Sequence, residues 1–326
     1  MASIPRKSEF IKVENYEPIA KRFFEFSEAE KDCFSTSILS NGRQANHRAA
    51  YGGLIFSQAL AAAEKTVETA FKPHSMHSYF IFNVDTKVPI SYNVRRTRDG
   101  RSFVTRTVEA VQKGAVCFVL QCSFHVEERD SIIHQSIMPK VPAPEVLMSM
   151  RDAVPYIKEL VEKGEVTPTA SMLRRLQKYD TQVYTDNEDL FEMRSTNLGN
   201  YYGFASDQKA EVQFWMRARG DLSDDERLHR WLLAYNTDSL LITTAVSPHY
   251  ASGFQASMIF SLDHSVWFHR AQVKADDWLL FDCTSHIASG SRAFIEGRIW
   301  RRDGVLIASC HQEALVRTKA GEPSRL

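Results

Sequence analysis

The sequence predicts an α+β chain that contains one structural unit twice. Two observations carry that expectation: strand-like runs set around a single apolar helix, and landmarks that recur at a nearly constant spacing. Met76-His77-Ser78-Tyr79-Phe80 matches Asp263-His264-Ser265-Val266-Trp267, an offset of 264 − 77 = 187. Arg101-Ser102-Phe103 matches Arg292-Ala293-Phe294 at 292 − 101 = 191, and Gly114 matches Gly304 at 304 − 114 = 190. Three similar offsets in the same order mark a duplication. One helix wrapped by an antiparallel sheet, made twice, is a tandem double hotdog. The expected division is residues 1–130 for the first repeat with a leading segment, 131–185 for a connection, and 186–326 for the second repeat with a tail.

In chain order, a short helix is expected near Pro18–Phe24 and a first strand at Cys33–Ile38. Tyr51-Gly52-Gly53 then opens an alanine-rich stretch through Ala63 that is apolar nearly all round, as a helix enclosed by protein would be. Its two glycines leave the first helical N–H groups approachable by partial negative charge, although close packing against a sheet explains them equally well. Strands are expected at His77–Phe82, Ile90–Thr97, Ser102–Val111 and Ala115–Val126, with Arg98-Asp99-Gly100 turning the central hairpin. Prolines 139, 142, 144, 155 and 168 punctuate the connection, which carries helix-forming stretches at Ile157–Lys163 and Ser171–Lys178. Strands at Val183–Arg194 and Glu211–Arg219 and a helix over Asp224–Val246 lead to Ser261–Arg270. In that last stretch Met258, Phe260, Leu262, Val266 and Phe268 alternate with Ser261, Asp263, Ser265 and His269.

Composition excludes several classes. The 326 residues hold 40 Lys plus Arg against 40 Asp plus Glu, which argues against a chain built to coat nucleic acid or an anionic membrane. No apolar run reaches membrane-spanning length. Five cysteines without a CxxC pair read as buried free thiols of a reducing compartment, and neither a metal site nor a cofactor is expected. The terminal Ser324-Arg325-Leu326 follows the pattern of a peroxisomal address, which implies an import receptor as partner. A homo-oligomer joined through sheet edges or faces is also expected.

Asp238 is the one charged residue between Trp231 and Val246. A carboxylate in such a run costs several kcal/mol unless paired, an arrangement chains keep for chemistry. It could instead break the run and cap a second short helix. Gln312 places a primary amide on a strand face otherwise made of Leu306, Ala308, Cys310, Ala314 and Val316, where it needs partners. Alternation alone cannot choose among Ser261, Asp263 and Ser265.

The residues also carry a family resemblance. Tyr-Gly-Gly with Gln-Ala-Leu-Ala-Ala-Ala at 51–63, His-Ser-Met-His-Ser-Tyr-Phe at 74–80, Arg-Asp-Gly-Arg-Ser-Phe at 98–103, Ser-Leu-Asp-His-Ser-Val-Trp-Phe-His at 261–269, Asp-Trp-Leu-Leu-Phe at 277–281 and Gln-Glu at 312–313 resemble the type II (TesB-like) acyl-CoA thioesterases. The resemblance implies a double hotdog, hydrolysis of acyl-CoA thioesters without a cofactor, and a catalytic set falling on Asp238, Ser261 and Gln312. Leu54, Ala293 and Ala314 depart from residues common in the family, which bears on the acyl pocket rather than on the reaction. Thioester hydrolysis needs an aligned water, a group to take its proton, and donors for the oxyanion. Asp238 would take the proton, Ser261 and Gln312 would orient the water, and N–H groups near Gly53 are candidate oxyanion donors. Arg98 and Arg101, with Arg95 and Arg96, are candidates for the coenzyme A phosphates, and His264 for a further substrate contact. Gly-x-Ser-x-Gly is absent, which disfavours an α/β-hydrolase route. The substrate could be a β-oxidation intermediate or the specialised acyl chain of a biosynthetic pathway, and two other readings remain open: a hotdog hydratase or dehydratase using His264 with Asp263, and a binding copy of the fold without catalysis.

Overall fold

A computed structural model describes residues 16–42, 48–180, 190–205 and 209–318. The elements in order are α1 (Glu17–Arg22), β1 (Ser27–Glu30), β2 (Cys33–Thr36), α2 (Gly52–Glu64), β3 (Phe71–Phe80), β4 (Ile90–Asp99), β5 (Phe103–Gln112) and β6 (Ala115–Val126). Then follow α3 (Met150–Glu162), α4 (Ala170–Asp180), β7 (Phe191–Ser195), α5 (Leu198–Tyr202), β8 (Glu211–Ala218), α6 (Glu226–Thr237) and α7 (Leu241–Val246). The chain closes with β9 (Ala256–Ser261), β10 (Asp263–Phe268), β11 (Leu279–Ser289), β12 (Arg292–Arg301) and β13 (Leu306–Thr318).

The strands join into one sheet, in the order β1-β2-β4-β5-β6-β3-β10-β13-β12-β11-β8-β7, with β9 on β13. That order is a palindrome about the β3–β10 seam, the signature of a duplicated unit closed by a pseudo-two-fold. The seam is self-complementary: Ser265 faces His77 and His264 faces Ser78, two pairs that the 187-residue offset exchanges. The hairpin turns agree. Gly114 and Gly304 both take positive φ, +76° and +84°, where a side chain would be strained. The chain is a tandem double hotdog whose two sheets have fused into one.

α2 supplies the first repeat's buried helix. Every residue from Gly53 to Glu64 is buried, which is why the stretch reads as apolar all round. It packs on β4, β5 and β6 and against α6. The second repeat departs from the single helix expected over Asp224–Val246. The helix stops at Thr237 and restarts at Leu241, with Asp238 as the C-cap residue of α6. Asp238 therefore does break the run, but its side chain does not cap α7.

The expected strand over 261–270 is also interrupted. Ser265 faces His311 on β13, whereas Ser261 faces Ala314, one residue out of register with unbroken pairing. Leu262 absorbs the extra position as a bulge does. Because side chains alternate along a strand, a one-residue shift sends Ser261 to the inner face and leaves Asp263 and Ser265 on the outer one. Met258 and Phe260 are consequently exposed, against the expectation that they continue the face of Val266 and Phe268.

The connection runs across the outer face of the second repeat. Met138, Val141 and Leu147 pack on Trp215, Trp278, Leu280 and Trp300, and Trp215 Nε1 donates to the Pro142 carbonyl at 2.8 Å. The start of the strand expected over 183–194, and residues 324–326, lie outside the described residues.

Candidate active site

Asp238, Ser261 and Gln312 arrive from three elements. Asp238 sits at the break between α6 and α7, Ser261 ends β9, and Gln312 occupies the inner face of β13 beside Cys310 and Ala314. Gln312 Nε2 donates to Asp238 Oδ1 at 2.6 Å and to Ser261 Oγ at 2.8 Å, and the Ser261 hydroxyl donates to the same carboxylate oxygen at 3.3 Å. Gln312 is fully buried, and its Oε1 has no hydrogen-bond partner among the described residues. A buried amide oxygen left unpaired is costly and calls for an explanation.

Burial dominates the acidity of Asp238. It outweighs the donors from Gln312, Ser261 and the Gly53 N–H, and pushes the carboxyl from 3.8 up to about 6. A carboxylate held there is a base near neutral pH yet remains readily protonated below it.

The N-terminus of α2 provides the opposite wall. A Cβ on Gly52 would lie 2.8 Å from Asp238 Oδ2 and 3.1 Å from the Phe80 ring, and one on Gly53 would strike the Tyr235 carbonyl at 2.2 Å. The two glycines thus exist for close approach. The Gly53 N–H donates to Asp238, so that one group is not free for an oxyanion.

Other candidates stand elsewhere. Arg98 and Arg101 are exposed on the β4–β5 hairpin, at the end of the sheet where Phe103 faces His125 and Phe71 faces Val126. Phe80, beside Asp238, is at the other end of β3, roughly 30 Å away at about 3.3 Å per residue. Arg96 is engaged with Asp32 at 2.9 Å. Their position gives no support to a phosphate contact. The counterpart hairpin of the second repeat is the one near the site, since Ala293 faces Ala314 and Ala314 faces Ser261. The duplication already contained that signal, but choosing between the hairpins required the strand directions.

His264 has no exposed surface. Its Nε2 lies 2.8 Å from Thr237 Oγ1, its ring meets Phe56 edge-on at 4.7 Å, and burial lowers it to about 3, so it is a neutral packing residue rather than a substrate contact. Asp263 faces the other side of the strand and accepts the Glu313 N–H at 2.6 Å. The two never form the acid–base pair that a hydratase would use.

A polar cleft lined by Ser195, Asn197, Asn200, Lys209, Glu211 and Gln213 lies at the β7–β8 edge and touches none of the three site residues. Asn200 there is already spent on the Lys209 and Glu211 carbonyls. Convergent polar groups around a shifted carboxyl are stronger grounds for a site than concavity alone, so we place the site at Asp238. Among the described residues, no three His, Cys, Asp or Glu side chains converge as metal ligands would, and no helix is long and apolar enough to cross a membrane.

The fold and the candidate site fit a double-hotdog enzyme, and comparison with known proteins gives its class, an acyl-CoA thioester hydrolase. The profile described as "Acyl-CoA thioesterase N-terminal domain" matches residues 40–125, and that described as "Acyl-CoA thioesterase C-terminal domain" matches 167–316. The chain is 38% identical to "Acyl-coenzyme A thioesterase 8" of Rattus norvegicus, covering 82% of this chain and 80% of that protein. It is 26% identical to "Peroxisomal acyl-coenzyme A thioester hydrolase 1" of Saccharomyces cerevisiae, covering 82% and 85%. The crystal structure of an acyl-CoA thioesterase II, TesB2, from Mycobacterium marinum superimposes with a TM-score of 0.70 at 30% identity, covering 93% of this chain and all of that one. The chain belongs to the type II, TesB-like acyl-CoA thioesterase family and is a thioester hydrolase.

Proposed function

We propose that Asp238 is the general base of acyl-CoA hydrolysis and that Ser261 and Gln312 hold it and its water in place. The observation that carries this is the single node formed by Gln312 Nε2, Ser261 Oγ and Asp238 Oδ1. Both side-chain donors are directed to Oδ1 and the Gly53 N–H is a third donor to the carboxylate, so Oδ2, which takes no side-chain donor, is the oxygen that would receive the water proton. Gln312 Oε1, unpartnered among the described residues, supplies an acceptor for the water's second hydrogen. Asp238 removes one proton as the water oxygen bonds to the thioester carbon. The tetrahedral oxyanion collapses, the carbon–sulfur bond breaks, and coenzyme A leaves as its thiolate, which then takes the proton from Asp238. Such base catalysis is worth about 10²- to 10⁴-fold.

Coenzyme A release from an acyl-CoA panel, followed with a thiol reagent, tests the assignment. Asp238→Asn and Gln312→Ala should each lose about 10²-fold or more in kcat while still binding acyl-CoA. Parent rates in both variants would overturn it.

We also propose a peroxisomal location. It is supported by the yeast relative whose name places it there and by the Ser324-Arg325-Leu326 pattern. Deleting residues 324–326 should leave the enzyme cytosolic when cells are fractionated, and unchanged organelle recovery would count against the receptor-read address.

A further inference from the structure

Phe80 of the first repeat sets its ring beside the carboxyl of Asp238. The position a Gly52 Cβ would occupy lies 2.8 Å from Asp238 Oδ2, 3.1 Å from Phe80 Cε1 and 3.2 Å from its Cζ. No more than the sum of two such short distances separates the ring edge from the carboxylate oxygen. Phe80 also begins a series of rings running inward. It lies 5.1 Å from Phe118, Phe118 lies 6.5 Å from Phe56, and Phe56 lies 4.7 Å from His264. Phe118, Phe56 and His264 are enclosed, whereas Phe80 keeps part of its surface open. The partly exposed ring therefore stands between solvent, the carboxyl and an apolar interior. Just beyond it the chain leaves β3 with Ile81 and Phe82 exposed, both held by the Cys117 carbonyl.

We propose that Phe80 gates the acyl end of the site: its ring shields Asp238 in the free enzyme and its size sets which acyl chains reach the carboxyl. The proposal rests on Asp238 being the base. The ligand part concerned is the aliphatic acyl chain rather than the pantetheine arm, because the ring leads into Phe118 and Phe56, which offer no polar group. Removing the ring opens space over Phe118 for a longer chain and admits water to the carboxyl. Hydrated, the carboxylate is easier to form, so the acid limb of the rate profile moves to lower pH. The groups facing Asp238 from the elements around it are Gly52 and the Gly53 N–H of α2, Ser261 of β9, and Gln312 with the Cys310 thiol of β13. Burial raises that thiol far above the assay range, so it stays neutral and does not contribute to the limb.

The test measures kcat and KM for coenzyme A release from straight-chain acyl-CoAs of increasing length, with Phe80→Ala, Phe80→Trp and the parent enzyme. Phe80→Ala should raise kcat/KM on the longest chains relative to the shortest by about tenfold, the scale at which apolar pockets discriminate. Phe80→Trp should shift that ratio the other way, and the acid limb of Phe80→Ala should fall below that of the parent. If the Ala variant does not fold, Phe80→Leu retains a contact with Phe118 and should show the same sign. An unchanged ratio in every variant overturns the proposal. So does an equal loss on all chains with the acid limb unmoved, which is what packing against Phe118 alone would give. Asp238→Asn assayed alongside separates the two ideas: full hydrolysis there removes the base assignment, while the chain-length ratio still reads the gate.

Discussion

At the scale of single residues, Asp238 combines a chemical asset with a stability cost. Its carboxyl is raised from 3.8 to about 6, so the folded protein holds this proton more tightly than the unfolded chain does. A raised carboxyl contributes stability that is complete below its unfolded value and is lost as pH rises through the folded value. Above about pH 6 the folded state carries a buried charge costing on the order of 3 kcal/mol. Asp238→Asn should therefore raise the melting temperature at pH 8 and leave it nearly unchanged at pH 4. A lower melting temperature at pH 8 would mean that the ionised form is favoured in the fold. In the parent enzyme kcat/KM should decline as pH falls through about 6, and a flat profile down to pH 4 would exclude Asp238 as the base. Asp238 was legible in the sequence because it is the one charge in a sixteen-residue run. Ser261 was not, because three polar residues shared the apparent face and the Leu262 bulge decided between them.

Among elements, α2 and α6 are tied by a contact that sequence reading passed over. Arg230 Nη2 donates to Glu64 Oε1 at 3.0 Å, and Trp231 Nε1 donates to Glu64 Oε2, with Glu64 and Arg230 buried and Trp231 half-buried. Glu64 closes an alanine-rich helix and looks like an ordinary helix end until α6 is laid across it. Glu64→Ala should cost about 3–5 kcal/mol in denaturant unfolding, because among the described residues it leaves Arg230 with Glu226 alone as an acidic partner, at 3.4 Å. The double change Glu64→Ala with Arg230→Met should recover most of that loss. If the double variant is as unstable as the sum of the singles, the two residues are not coupled.

For the whole molecule, the continuous sheet and shared core leave no plane along which the repeats separate cleanly. The β3–β10 seam is hydrogen-bonded, α2 packs on α6, and the carboxyl of one repeat is seated on the helix N-terminus of the other. Calorimetry should show one cooperative transition for both repeats. Two resolved transitions would mean that each repeat stands alone and that the seam is a weak contact.

The sequence alone determined that the unit occurs twice, that one helix is enclosed in the first copy, and that a lone acid sits in the apolar run of the second. These properties are written in local periodicity and in spacing along the chain, which need no knowledge of what lies across the sheet. Tertiary structure decided which serine faces inward, which arginine hairpin flanks the candidate site, and that His264 is enclosed against Thr237 and Phe56. A one-residue register shift reverses the face of a strand, and antiparallel pairing puts equivalent hairpins at opposite ends, so both outcomes depend on partners distant in sequence.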